Sequence, residues 1–97
     1  MSEPAARPDH AGTAALVTGA SSGIGRAVAE LLAAAGASVG VCSVDPAGAE
    51  AVAGAITEKG GAALPVPADV RDPGSVEAAV RATVTAYGGL DTLITCA

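Results

Sequence analysis

The sequence predicts an α/β fold in which an open parallel sheet is covered by helices on both faces. Three observations carry that expectation. Four short apolar runs alternate with three segments of helical period. The connections between them are short, and strands joined through helices in this way lie parallel with right-handed crossovers. The apolar stock fits as well: 51% of the 97 residues are hydrophobic, alanine dominates, one residue is aromatic, and Phe and Trp are absent. A core of Ala, Val, Leu and Ile packs best between closely spaced layers, which helix on parallel sheet provides.

The first strand is placed at residues 14–18, where Ala14-Ala15-Leu16-Val17 leads into Thr18. The first helix is placed at 23–35. Its Ile24, Val28, Leu31, Leu32 and Ala35 fall at the spacing of one buried face, and Gly36 closes it as a C′ glycine. The second strand, 38–44, is an apolar run broken by Gly40 and reads as buried on both faces. Asp45 as N-cap and Pro46 as first helical residue open the second helix. Ala49, Val52, Ala53 and Ile56 form its apolar face, and Gly60-Gly61 end it. Gly48 and Gly54 weaken this helix by up to about 1 kcal/mol each where exposed. The third strand is 62–66. Asp72 and Pro73 repeat the opening device for a third helix, with Val76, Ala79, Val80, Val84 and Tyr87 inward and Gly88-Gly89 as its stop. The fourth strand is 91–95. The expected strand order is 3-2-1-4, which makes a partial Rossmann-like doubly wound parallel sheet: one half of that fold and the first strand of the other. Residues 1–12 are polar, contain Pro4 and Pro8, and read as a flexible tail that carries His10; residues 13–97 form the folded portion, truncated after its fourth strand.

A net charge of −5 with no basic cluster argues against a nucleic-acid partner. No segment has the pattern of a signal peptide or the length of a membrane span, so the cytoplasm is the expected location and no membrane partner is expected. Cys42 and Cys96 lie in apolar runs and read as reduced small hydrophobes, with a disulfide between them and a reactive Cys96 as the alternatives. Together with His10 they are too few for a metal site.

In an open parallel sheet, ligands bind beyond the carboxyl ends of the strands, where the strand order reverses. Thr18-Gly19-Ala20-Ser21-Ser22-Gly23-Ile24-Gly25 occupies that place, between the first strand and the first helix. A helix N-terminus offers free N–H groups and a partial positive charge to a phosphate, and glycine lets the backbone come close. The other strand ends, Ser43 to Asp45, Asp69-Val70 and Thr95 to Ala97, share the same crevice. The alternative is a tight strand–helix turn without ligand, with Ser21 and Ser22 serving only as turn residues and Asp69 as a cap before the third helix.

The spacing Gly19-x-x-x-Gly23-x-Gly25 after Thr18, Asp69-Val70 after the third strand, and Gly88-Gly89-Leu90-Asp91-Thr92-Leu93-Ile94 before the fourth strand resemble the classical short-chain dehydrogenase/reductase family over residues 13–97. The resemblance implies an NAD(P)-dependent oxidoreductase that transfers hydride between the nicotinamide and a carbonyl or alcohol. By matching positions, Gly19, Ser21, Ser22, Gly23, Ile24 and Gly25 hold the phosphates and ribose. Asp69 accepts from the adenine amino group, Val70 packs beside the ring, and Ala97 passes the nicotinamide ribose. The position where NAD-preferring relatives carry an aspartate is Ser43 here. Without that carboxylate a 2′-phosphate is not repelled, so the expectation leans to NADP with NAD still open. The family's asparagines after the fourth strand appear as Thr95-Cys96. Its Ser, Tyr and Lys are absent, since the only Tyr is Tyr87, inside a helical stripe, and the only Lys is Lys59. The chain is therefore expected to hold cofactor, to lack catalytic residues and to be inactive alone. A non-catalytic dinucleotide-binding module and a truncated product without independent function stand as alternatives. A homo-oligomer is implied only for a complete relative.

Overall fold

The computed structural model of the chain describes residues 12–21 and 23–96; residues 1–11 of the expected tail, Ser22 and Ala97 lie outside the described residues. Seven elements follow one another: β1 (Ala14–Thr18), α1 (Gly23–Ala34), β2 (Ser38–Ser43), α2 (Pro46–Glu58), β3 (Ala62–Pro67), α3 (Pro73–Tyr87) and β4 (Thr92–Thr95). The strands pair in the order β3-β2-β1-β4, all parallel, as expected. Thr18 at the end of β1 stands level with Cys42 of β2 and Thr95 of β4, which brings three strand ends to one edge.

The core lies in two layers. On one face, Val17, Val39 and Val41 of the sheet pack against Ala29 and Ala33 of α1 and against Val52, Ala53 and Ile56 of α2. On the other face, Leu16, Cys42 and Val66 pack against Ala79 of α3. Each fully buried Val or Leu contributes roughly 1.5–3 kcal/mol over its exposed state. No helix among the described residues is long and apolar enough to cross a membrane.

The buried face of α2 is the one its periodicity predicts, but α1 presents a different one. Gly25, Ala29 and Ala33 are its buried residues, whereas Ile24 and Leu31 are 77% and 72% exposed. The smallest side chains let α1 come close to β1 and β2, and at that separation no room is left beneath the helix for the larger ones. Val28 and Leu32 sit partly buried at the border. In α3 the buried residues are Ala79 and Thr83, and Val84 is exposed. Thr83 reaches the core because its hydroxyl donates to the Ala79 carbonyl at 2.9 Å, so its polar atom is satisfied inside the helix. Its side chain meets β2 at Gly40, which does not break the strand. Tyr87 is half-buried, its hydroxyl donates to the Val39 carbonyl at 3.2 Å, and burial pushes its phenol up.

The helix boundaries follow their punctuation. Asp72 accepts from the Gly74 N–H and caps α3, and Gly88 ends that helix in the left-handed region. Asp45 has the backbone of an N-cap, but its side chain makes no capping hydrogen bond; Pro46 alone supplies the pre-set φ that starts α2. β2 stops one residue earlier than expected, and β3 runs one further, to Pro67. Prolines 65 and 67 are tolerated because β3 is an edge that needs no donor on its outer side. β4 starts at Thr92 because Asp91 is spent on a clasp. Its carboxylate accepts from the Ala14 N–H at 2.8 Å and its own N–H donates to the Ala14 carbonyl at 2.9 Å. β4 is the other edge, with Leu93 49% exposed.

Both cysteines are free. Cys42 packs on the α3 face and Cys96 on the opposite one. β2 and β4 are separated by β1, so at about 4.8 Å per strand the two lie beyond the span of a disulfide. Burial pushes the Cys42 thiol up.

Candidate functional site

Three hydrogen bonds lock the carboxyl ends of the strands together. The Ala20 N–H donates to the Cys42 carbonyl at 3.0 Å, which pins the turn after β1 onto the end of β2. The Ala68 N–H donates to the Ser43 carbonyl at 3.0 Å, which pins the turn after β3 onto the same strand. The Cys96 N–H donates to Thr18 Oγ1 at 3.3 Å, which ties the end of β4 to the end of β1. The loop between β1 and α1 is thus fixed from both sides, at the point where the strand order reverses.

The glycines in that loop have separate reasons to be there. Gly19 has φ +63° and its Cα faces the Cys96 carbonyl so closely that a Cβ would overlap it. Gly25, inside the first turn of α1, abuts the Gly19 carbonyl in the same way. These two draw strand, turn and helix tightly together. Gly23 differs: it has φ +61°, and a Cβ there would have nothing within 4 Å. It opens the loop towards the crevice at the N-terminus of α1, whose first turn contains no acidic residue. Ile24, expected both in the core and at the site, stands exposed beside it.

The other expected residues line up on the same edge. Ser43 is 5% exposed, and its Oγ accepts from the Asp45 N–H at 3.0 Å. Asp69 is held by Arg71, which donates through its backbone N–H at 2.9 Å and through its guanidinium to both carboxylate oxygens at 3.0 Å. Val70 beside it is 54% exposed. Arg71 had no place in the sequence-based site; the signal for it was the Asp-x-Arg spacing in a turn, which lets a side chain fold back two residues. A second unanticipated contact is Ser75, whose Oγ accepts from the Asp69 N–H at 3.0 Å. Ser22 and Ala97 lie outside the described residues.

The Arg71 guanidinium holds the Asp69 carboxyl below the usual carboxylate range. Both groups are exposed, so the pair contributes little to stability. What it does contribute is fully present above the pKa of an unfolded aspartate and is lost as pH falls through the lowered folded value. In a carboxyl-carbon NMR titration Asp69 is expected to take up its proton below the ordinary aspartate range, and Arg71→Ala is expected to return it to that range. An unchanged Asp69 midpoint in that variant would reject the pairing in solution.

Two concavities, of about 330 and 370 Å³, lie at the amino ends of the strands. One is bounded by Glu30, Gly36, Lys59 and Gly61, the other by Thr13, Ser38, Tyr87 and Asp91. Neither touches the glycine turn. The carboxyl edge is marked instead by the close glycine contacts at Gly19 and Gly25. Among the described residues, no group of three His, Cys, Asp or Glu side chains is placed to hold a metal ion.

Known proteins resemble this chain throughout the described region. An uncharacterized oxidoreductase of Methylorubrum extorquens is 48% identical over 84 residues, which is 86% of this chain and 34% of that protein. A 2,5-dichloro-2,5-cyclohexadiene-1,4-diol dehydrogenase of Sphingobium indicum is 43% identical over 83 residues, 86% of this chain and 32% of that protein. The crystal structure of a dehydrogenase/reductase from Sinorhizobium meliloti 1021 superposes with a TM-score of 0.86 at 48% identity, over 90% of this chain and 35% of that one. The chain thus spans about a third of the length of the relatives it matches. The family model described as short chain dehydrogenase matches residues 13–97, from the strand before the glycine turn to the end of the wall behind it. On that match, and on a turn and a strand order that agree with it, the chain belongs to the short chain dehydrogenase family.

Proposed function

We propose that the chain binds a nicotinamide dinucleotide, NAD or NADP, by its adenine and pyrophosphate portion, and that it serves as the cofactor-binding part of a cytoplasmic oxidoreductase acting on a carbonyl or alcohol. The observation that carries this reading is the open Gly23 position at the N-terminus of α1, in a loop locked by its neighbours at the switch point of the sheet. A phosphate is accommodated there because no Cβ intrudes at Gly23 and the first turn of α1 carries no acidic side chain. Gly19, Ser21, Ser22, Gly23, Ile24 and Gly25 hold phosphate and ribose. Ser43 stands behind the ribose, Asp69 and Val70 meet the adenine, and Ala97 passes the far ribose. The cofactor supplies hydride chemistry; the residues of this chain bind and orient it.

One observation favours a purely binding role for these 97 residues taken alone. Tyr87, the only tyrosine, is half-buried with its hydroxyl committed to the Val39 carbonyl, and it borders a concavity at the amino ends of the strands, remote from the glycine turn. It provides no proton to a substrate beside the nicotinamide. Titration calorimetry and thermal melts with NAD and NADP test the binding. A saturable one-to-one heat is expected, and ligand at a hundredfold its Kd is expected to stabilise the fold by about 2.7 kcal/mol. Absence of both heat and thermal protection at millimolar dinucleotide would reject the reading.

A further inference from the structure

The hydrogen bonds through Thr18 and Ala20 pin the glycine turn as far as residue 20. Ser21, the next residue, meets α2. Gly48 is the third residue of that helix. A Cβ on it would stand 2.8 Å from Ser21 Cβ and 2.8 Å from Asp45 Oδ2. These two neighbours differ in kind. The Asp45 carboxylate is the free end of a side chain that makes no capping hydrogen bond, so it can turn away. Ser21 Cβ is joined directly to the backbone and moves only with the turn. α2 cannot retreat either. Ala49, the residue after Gly48, and Val52 are 0% and 1% exposed in the core against the sheet, and the Ala49 N–H closes the first helical turn onto the Asp45 carbonyl at 3.0 Å.

We infer that Gly48 is a positioning residue of the site: its missing side chain lets the first turn of α2 abut the glycine turn and sets where Ser21 stands. This rests on the dinucleotide-binding reading above, and it adds a residue of the second helix that acts on the ligand only through the turn. The best separation between carbon atoms in contact is about 3.5–4.0 Å. A methyl group at position 48 therefore displaces Ser21 by roughly 0.7 Å or more, beyond the roughly 0.5 Å within which a binding constellation has to be held. Ser21 lies between the last pinned position and the open Gly23 at the start of α1, so its displacement reaches the N–H groups offered to a phosphate. The two glycines inside α2 thus part ways. Both lower its helix propensity, but a Cβ at Gly54 meets nothing within 4 Å, so only Gly48 serves the site.

The test measures NAD and NADP affinities by calorimetry on the whole chain, in wild type, Gly48→Ala, Ser21→Gly and the double variant, with a melt of each. Gly48→Ala is expected to bind about tenfold more weakly while melting within a few degrees of wild type, because alanine favours the helix that the contact strains. Gly54→Ala, with the same gain in helix propensity, is expected to bind as wild type does. In the Ser21→Gly background the Cβ that a methyl at position 48 would meet is gone, so adding Gly48→Ala is expected to change affinity by less than about twofold. Wild-type affinity in Gly48→Ala, or an equal loss with and without the Ser21 side chain, overturns the role of Gly48 and leaves the binding site standing. Should Gly48→Ala melt far below wild type, the double variant decides. Return of the fold and of the Ser21→Gly affinity supports the contact, and a double variant that stays unfolded overturns it. If wild type binds neither dinucleotide, the dinucleotide reading fails and this role with it.

Discussion

Gly25→Ala is expected to unfold much of the population at temperatures where the wild type is folded. In an exposed helix interior the same change stabilises by roughly 0.5–1 kcal/mol. Here the added methyl overlaps the Gly19 carbonyl and comes to 3.1 Å from Ala20 Cα. All of these are backbone atoms, in a turn pinned to β2 through Ala20 and to β4 through Thr18, so none can step aside. The helix must move instead, and Ala29 and Ala33, which lie along the same buried stripe, leave the core with it. A loss of about 3 kcal/mol or more is expected, which for a chain of this size lowers the melting temperature by over about 10 °C. Gly54→Ala is the internal control. A Cβ there meets nothing within 4 Å, so that variant is expected to gain up to about 1 kcal/mol. Melts followed by circular dichroism compare the two, and a Gly25→Ala chain that melts at or above wild type would refute the close contact of α1 with the turn.

Leu16→Ala is expected to cost about 3–4 kcal/mol. Leu16 is fully buried and is the largest of the buried residues on the α3 face, where the others are Cys42, Val66, Ala68 and Ala79. Leu64, Val80 and Leu90 pack against the same face only partly buried, so a cavity cost adds to the lost burial of the leucine side chain. A domain of this length has about 5–15 kcal/mol in total, so the loss is a large share of it. Leu16→Met keeps the volume and is expected to cost less than about 1.5 kcal/mol. Urea unfolding checks both: the midpoint is expected to fall sharply for Leu16→Ala with the slope unchanged. A midpoint shift equal to that of Leu16→Met would show that the face is not packed around this residue.

The element order, strand order and glycine turn were all legible in the sequence, because each has local punctuation: Gly36, Asp45-Pro46, Gly60-Gly61, Asp72-Pro73 and Gly88. The inward face of α1 was not, and that of α3 was in part: Ala79 is buried and Val80 packs on the core as expected, while Val84 is exposed. Periodicity weights the largest apolar side chains, so it selected Ile24 and Leu31, while closeness to the sheet is set by the smallest, Gly25, Ala29 and Ala33. Thr83 was missed because its hydroxyl counts as polar in sequence but finds its partner within its own helix. Asp45 has the backbone of a helix start, but its carboxylate makes no capping hydrogen bond, which the Asp-Pro pair does not disclose. The Asp69–Arg71 pairing depends on side-chain direction in a turn, which no periodicity reports.

The central position of β1 has a kinetic consequence. Its pairing with β2 begins with Ala14 opposite Ser38, but its pairing with β4 begins with Ala15 opposite Thr92, and the clasp from Ala14 to Asp91 spans 77 positions. Closing a loop roughly three times longer costs about 1 kcal/mol more entropy before any contact repays it, and such distant pairings slow folding. The glycine turn can therefore form early with β2 while its back wall, from Thr92 to Cys96, arrives late. During synthesis or refolding, dinucleotide affinity is expected to lag behind helix content, because β4 forms one wall of the crevice and docks after β2.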